Sequence, residues 1–360
     1  MTLHILGIGT AVPPFTLTQE RAADLAATYC VGTPREEKLL RAIYRKVGIE
    51  TRQVVLSDAA SDATNRDDFY QPRTEDNSHG PSTAQRMAAY LPAAFALALQ
   101  ACRAALAESQ ITAAEITHLI TVSCTGFAAP GVDVQLIEAL SLPRTVRRLN
   151  IGFMGCHGAL NGLQATQAAA REPGATVLLC CVELCSLHLQ YGWRTDQVMA
   201  NALFGDGSAA IVAKEGAGDS RAELIATGSC LIPETQNEMG WRISDHGFEM
   251  TLSAHVPDLL KTHLRAWLIS WLEQHGVDLA EVANWVIHPG GPRIISAVEE
   301  CLSLPPEAGA LSREILRTHG NMSSPTVLFI LQETLRKKPR GTTVMLAFGP
   351  GLSAEAALFR

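Results

Sequence analysis

Charge is scarce in this chain, and an apolar run long enough to cross a bilayer is missing. Only 18% of its 360 residues are charged and the formal net charge is -7. No basic field therefore exists to gather phosphates, and no Lys/Arg stripe is interleaved with aromatics, so nucleic acid is not an expected partner. The longest apolar runs, such as Thr176 to Leu184, fall far short of the roughly 20 residues needed for a membrane span. Met1 to Pro14 lacks the basic start and apolar stretch of a signal peptide, which makes a cytoplasmic location the expectation. Short-period repeats and low-complexity tracts are also missing, which argues against a solenoid.

What is present suits a globular enzyme. Hydrophobic residues make up 47% of the chain, enough for a sizeable interior in one large domain or two ordinary ones. The nine cysteines are an odd number, and without an export signal they read as free thiols in a reducing compartment. Cys181, Cys185 and His188 loosely suggest a metal site, but no second ligand pair follows, so ordinary buried thiols and no metal are expected.

Short β-branched or apolar runs alternate with longer helical patterns, the mark of an α/β architecture. Strands are expected at Leu3 to Gly7, Ile116 to Ser123, Thr176 to Glu183, Ser208 to Ala213, Leu224 to Leu231, Trp285 to His288 and Thr343 to Phe348. The clearest helix is Val256 to Gln274, where Leu260, Leu264, Trp267, Leu268 and Trp271 recur at three- and four-residue steps. Ser57 to Ser82 and Lys214 to Arg221, which carries Gly216 and Gly218, read as loops. The second is taken as the join between two halves, residues 1–214 and 222–360.

Three segments carry chemistry. Asn150 to Asn161 runs from an extended stretch into a helix of small residues, placing Cys156 near a helix N-terminus between Gly155 and Gly158. Unpaired amides and the helix dipole favour a thiolate there; an inert buried thiol is the bland alternative. Trp285 to Pro292 is a buried-type strand ending at His288, and strand ends in α/β sheets are where functional side chains emerge. Thr318 to Pro325 puts Asn321 in a loop between two helical patterns. Alone, such a His is more often a hydrogen-bonded structural residue and such an Asn a turn or cap.

Six stretches taken together, in order, resemble the type III polyketide synthases, the chalcone and stilbene synthase-like branch of the thiolase superfamily. They are Pro130 to Leu136, Gly155-Cys156, Ala202 to Gly207, His288 to Pro292, Gly320 to Ser324 and Phe348 to Leu352. The resemblance implies a five-layered αβαβα thiolase fold of two pseudo-equivalent halves, a homodimer, and malonyl-CoA and acyl-CoA as substrates with no further cofactor. It also implies a catalytic triad of Cys156, His288 and Asn321. His288 is expected to hold the thiolate as an ion pair, and His288 and Asn321 to donate to the thioester oxygen that becomes negative as carbon dioxide leaves. His157, one helical step of about 100° away from the nucleophile, is expected to face elsewhere with a minor role at most.

Similarity further assigns Phe204 as a gatekeeper, with Met250 where the plant enzymes carry a second Phe. Cys124, Thr125, Ala129, Cys185, His188, Trp241 and Ser323 fall on other cavity positions. Their identities look like the bacterial alkylpyrone and alkylresorcinol branch and suggest a narrow apolar channel for a fatty acyl starter. Ala347 replaces the first Gly of the family's closing loop. Arg45, Lys46 and Arg52 are the expected cations for the CoA phosphates. Two rivals stand beside this reading: an initiating ketoacyl synthase of fatty acid synthesis, and a silent thiolase-like partner subunit.

Overall fold

The computed structural model describes residues 2–56, 69–216, 220–337 and 341–360. The first part of the Ser57 to Ser82 loop and the centre of the expected join, Gly218 included, lie outside the described residues. In chain order the elements are β1 (Leu3–Ala11), β2 (Phe15–Thr18), α1 (Gln19–Cys30), α2 (Pro34–Lys46), β3 (Thr51–Val54), α3 (Thr83–Ser109), β4 (His118–Ser123), α4 (Val132–Leu140), β5 (Arg147–Gly152), α5 (Gly158–Ala169), β6 (Thr176–Leu184), α6 (Thr195–Leu203) and β7 (Asp206–Glu215). They continue with β8 (Ala222–Leu231), β9 (Met239–Ser244), β10 (Gly247–Leu252), α7 (Val256–Gln274), β11 (Asn284–Ile287), α8 (Pro292–Leu302), α9 (Ala310–His319), α10 (Thr326–Lys337), β12 (Thr343–Gly349) and β13 (Ser353–Phe359).

One strand pattern is used twice. The first half orders its strands β1-β7-β6-β4-β5 and the second β8-β13-β12-β11. In each half one parallel pair, β4 with β6 or β11 with β12, is followed by antiparallel pairings that lead back to the first strand. The two halves join where Leu3 to Ile5 of β1 pair with Leu224 to Ala222 of β8. β5 has no counterpart in the second half.

Three apolar clusters define the layers. Leu160 and Leu163 of α5 and Val327 to Leu331 of α10 pack in one cluster with Ile120, Val122, Val286 and Met345 from both halves. Those two helices therefore lie between sheet faces. α3 covers the outer face of the first half through Leu97, Ala101 and Ala105 against Leu119, Leu178 and Ala210. α7 covers the second through Leu260, Leu264 and Leu268 against Ile287, Val344 and Leu346. Helix, sheet, helix, sheet, helix is the five-layered arrangement the resemblance implies. A fourth cluster gathers α1, α2 and α6 as a cap over one end.

α7 matches its expected span residue for residue, because its 3.6-residue apolar stripe faces one sheet. β1 runs to Ala11, beyond the expected Gly7. Gly7 and Gly9 lie on its α3 side, where a Cβ would collide with backbone at Ala105 and Ala101, so glycine permits the close approach. Six strands were not expected: β2, β3, β5, β9, β10 and β13. β5 is exposed along most of its length, and the Ala-rich β13 carries weak β-propensity. α3 has the length and composition to cross a membrane; its packing between β1, β7 and β6 accounts for that apolarity.

A carboxylate fastens the two halves together beside the inner helices. Glu183 of β6 is fully buried. It accepts hydrogen bonds from the Cys124 amide (2.9 and 3.1 Å), the Thr125 hydroxyl (2.8 Å) and the Ser324 hydroxyl just before α10 (2.8 Å). Burial pushes its carboxyl up from 4.5 to about 7, although those hydrogen bonds pull the other way. Its proton is thus held more tightly in the folded than in the unfolded chain. The stabilisation is complete below about pH 4.5 and is lost as pH rises through about 7. At 1.4 kcal/mol per pH unit this amounts to about 3 kcal/mol. Urea unfolding between pH 4.5 and 8 should show that decline in the natural chain, and Glu183→Gln should flatten it by a comparable amount.

Candidate active site

The inner helices bring the key residues together by symmetry. α5 precedes β6 and α10 precedes β12, so Cys156 just before α5 and Asn321 just before α10 occupy matching places in the two halves. His288 follows β11 as Cys124 follows β4, its counterpart.

Cys156 lies in a single 3-10 turn, Gly155–His157, that leads into α5. Gly155 has φ +74, and a Cβ on it would strike Pro350, so both conformation and space require glycine. The Gly155 amide donates to Cys124 Sγ at 3.0 Å, which anchors the turn to the end of β4. Phe153, at φ +58, packs against Phe127 and Phe248. This residue, two positions ahead of the turn, is thereby held in an uncommon conformation by aromatic contact.

Asn321 is pinned from both sides. Its amide donates to the Leu203 carbonyl at 2.9 Å, and its carbonyl accepts from Gly205 at 3.0 Å. Its Oδ1 accepts from the Ser323 amide at 2.8 Å, which turns Nδ2 toward Cys156 Sγ, 4.0 Å away. Ser323 and Asn321 both offset the upward shift that burial gives the sulfur.

His288 is 1% exposed, and neither ring nitrogen has a hydrogen-bond partner among the described residues. A buried imidazole with both nitrogens unpaired is costly, and such exceptions concentrate where a ligand completes the pairing. Burial, with a smaller contribution from His157, pulls His288 down to about 3, while burial pushes the Cys156 thiol up to about 11. Both shifts run against the thiolate–imidazolium pair expected from the sequence. The dry surroundings favour the neutral form of each group, and the helix dipole does not outweigh that penalty.

Cys156 opens into a narrow cavity of about 120 Å³ that is partly open to solvent. The predicted residues Cys124, Thr125, Cys185, Phe204, Trp241, Met250 and Ser323 all line it, as does His188. His288 and Asn321 are not among the lining residues. Trp241 Nε1 donates to the Cys124 carbonyl at 2.7 Å and the indole packs edge-on against His188 and Phe248. His188 has both nitrogens engaged: one with the Thr125 carbonyl (2.6 Å), the other accepting from the Phe248 amide (3.0 Å). These bonds make it a rigid strut between two cavity walls.

Arg52 is corrected. It is 2% exposed and spends its guanidinium on the carbonyls of Asn201, Ala202 and Phe204 and on the Gln19 side chain. It closes the C-terminal end of α6, where a cation complements the helix dipole, and so supports Phe204 from behind. It lines the cavity from inside and is not exposed at a solvent mouth. Arg45 and Lys46 are exposed on the last turn of α2 and do not line the cavity. Ala347 lies inside β12 opposite Glu355, in strand conformation that tolerates its methyl group. Ala129 is exposed.

Sequence reasoning missed one limb of the cavity. Leu17, Ala22 and Leu25 from β2 and α1, Tyr44 from α2, and Val54, Leu56 and Tyr70 around β3 form a mostly apolar recess continuous with the thiol chamber. No local pattern marks it, because four separate elements build it. Arg86, 0% exposed, was also missed. It donates to the carbonyls of Pro81, Leu187 and Leu189 and to the Tyr70 hydroxyl, fixing the segment that carries His188.

Comparison with known proteins agrees with this geometry. Residues 2–217 match the family model for chalcone and stilbene synthases, N-terminal domain, and residues 223–360 the model for the C-terminal domain. The chain is 34% identical over 364 residues to 1,3,6,8-tetrahydroxynaphthalene synthase of Streptomyces peucetius, covering 99% of this chain and 92% of that enzyme. It is 31% identical to the α-pyrone synthesis polyketide synthase-like Pks18 of Mycobacterium tuberculosis, covering 99% and 90%. The crystal structure of PKS-I from the brown alga Ectocarpus siliculosus superposes with a TM-score of 0.92 at 30% identity, covering 100% and 98%. With both halves matched from end to end and the layered fold shared, the chain belongs to the chalcone and stilbene synthase family of type III polyketide synthases, condensing enzymes that transfer acyl groups.

Proposed function

We propose that this enzyme loads an acyl group from an acyl-CoA onto Cys156 and lengthens it by repeated decarboxylative condensation with malonyl-CoA, using Cys156, His288 and Asn321 as catalytic residues. The half up to residue 214 supplies the thiol, and the half from 222 supplies the imidazole and the amide. The observation that carries this reading is the Asn321 Nδ2 aimed at Sγ from 4.0 Å, together with the buried His288 imidazole, whose ring nitrogens have no partner among the described residues.

The chemistry follows from those groups. The thiol gives its proton to His288 as the sulfur attacks the thioester, and CoA leaves with that proton. Malonyl-CoA then loses carbon dioxide, and the electron pair left on C2 delocalises onto the thioester oxygen. Donors from His288 and Asn321 stabilise that oxyanion where water cannot compete. C2 attacks the acyl carbonyl, the carbon–sulfur bond to Cys156 breaks, and the CoA-bound chain, two carbons longer, returns to the thiol.

The apolar recess beside α1 and β3 supports a fatty acyl starter, since its walls offer burial to methylenes and few polar partners. Closure to a pyrone or resorcinol-type product follows from a poly-keto chain folded in the chamber under Trp241. Phe204 and Met250 act as gatekeepers, and the flexible Met250 makes that gate the softer of the two. Arg45 and Lys46 meet the CoA phosphates. The exposed edge strand β5, with Leu149 and Phe127 about half exposed, supports a homodimer.

Purified protein given malonyl-CoA and acyl-CoA starters of graded length should yield products more than one extension long, with kcat/KM rising along the acyl series. Products of a single extension would favour the ketoacyl synthase rival, and faster turnover of aromatic starters would overturn the fatty acyl assignment. Cys156→Ala should abolish extension, and Asn321→Ala should lower kcat by roughly a hundredfold through loss of one oxyanion donor. Charge reversal at Arg45 and Lys46 should raise KM for CoA thioesters several-fold and leave kcat largely unchanged, as expected for groups that only bind.

A further inference from the structure

The apolar recess holds two polar side chains that the condensation chemistry does not use. Gln197, Ala200, Asn201 and Phe204 recur at three- and four-residue steps along α6 and its end, and all four border the cavity, so one face of that helix is turned toward it. Phe204 pairs with Asn321 and marks the thiol end of this face. Gln197 lies about two turns earlier, roughly 10 Å away along the helix axis. Tyr44 borders the same recess from α2. Gln19 fastens the two helices together there: its Nε2 donates to the Tyr44 carbonyl at 3.0 Å and to the Ala202 carbonyl of α6 at 3.1 Å.

Gln197 is 5% exposed and Tyr44 2%, yet neither the Gln197 amide nor the Tyr44 hydroxyl hydrogen-bonds another described residue. Neighbouring polar groups are engaged. Asn201 donates to the Gln190 carbonyl at 2.9 Å, Gln190 to the carbonyls of His188 and Phe248 at 3.1 Å each, and the Tyr70 hydroxyl to the Ser186 carbonyl at 2.8 Å. Arg52, the one cation among the described lining residues, has both Nη groups on carbonyls and on Gln19. Two buried groups left open in an apolar wall are costly unless a ligand completes them. Their chemistry restricts that ligand, because the amide offers a donor and an acceptor and the phenol a donor. A chain carbonyl takes the donors and leaves Gln197 Oε1 unpaired. A carboxylate does the same and adds a charge that no free cation meets. A hydroxyl accepts from Tyr44, donates to Gln197 Oε1 and carries no charge.

We propose that the recess selects an acyl starter bearing a hydroxyl group along its chain, received by Gln197 and Tyr44. These are specificity residues: they meet the chain away from the reacting carbonyl and take no part in making or breaking bonds. A chain of methylenes alone fills the recess but leaves both groups unpaired, so it is the poorer substrate. The proposal rests on the reading that an acyl-CoA starter is loaded onto Cys156, and the experiment tells failure of that reading from failure of this one.

The test gives the full-length enzyme malonyl-CoA and acyl-CoA starters of one chain length, plain or hydroxylated at successive carbons, and measures kcat/KM for extension. Binding of the same starters to Cys156→Ala, which cannot turn them over, is measured by calorimetry. At one hydroxyl position, well along the chain from the thioester, kcat/KM should exceed that of the plain chain by about tenfold or more, with tighter binding to match. Gln197→Leu and Tyr44→Phe should each bring the hydroxylated-to-plain ratio back toward one, a change that loosened packing, acting on both chains alike, does not produce. If no acyl-CoA is extended while the calorimetric preference stands, the loading reading fails and the recess assignment survives. If no hydroxylated chain is preferred in either measurement, the recess assignment fails, whatever the plain chains do. Should Gln197→Leu not fold, Tyr44→Phe decides by the same ratio.

Discussion

Desolvation of a thiol is the constraint around which this structure is arranged. Cys156 lies in a turn leading into a helix that is itself covered by sheet on both sides, so the sulfur meets almost no water. A helix N-terminus in solution would help ionise it, yet burial pushes it up to about 11 and leaves it neutral at rest. The same dryness holds His288 neutral. In the mechanism proposed above neither group acts alone, and charge appears only when both meet a substrate, where hydrogen bonds to a developing anion are strong because little water competes with them.

That arrangement needs rigid walls, and buried polar groups supply them. Glu183 ties the end of β4 to the start of α10, Arg52 braces the end of α6, and Arg86 fixes the segment that carries His188. Each charged group among them is satisfied mostly by backbone amides, carbonyls or hydroxyls and only weakly by opposite charge. Such pairing contributes little net stability against an apolar replacement, but removing one partner leaves a desolvated group exposed to its full penalty. These residues therefore hold geometry more than they hold the fold together.

The duplicated topology explains why residues distant in the chain converge. Each half delivers one group from the start of its inner helix and one from the end of its equivalent strand. The halves then meet with Cys156 opposite Asn321, while Cys124 and His288 end equivalent strands. The second half lacks a counterpart to β5, so only the first half ends in an exposed strand edge.

Several features were legible because they are local. The stripe of α7, the apolar runs of β6 and β12, the glycine-flanked cysteine and the strand ending at His288 all depend on neighbours within a few residues. The exposed β5 and the Ala-rich β13 lacked such marks, since they are held by pairing with β4 and β8 farther along the chain; the β9–β10 hairpin closes locally across Asp245 and His246, yet no strong alternation announced it. By itself the sequence determined the residue types able to carry out thioester chemistry and their order, because those choices are chemical. Only the tertiary structure decided that Arg52 is an internal brace, that an apolar recess opens beside α1, and that His157 is buried against Gly349. Burial and orientation at those positions arise from packing between elements that no short stretch of sequence contains.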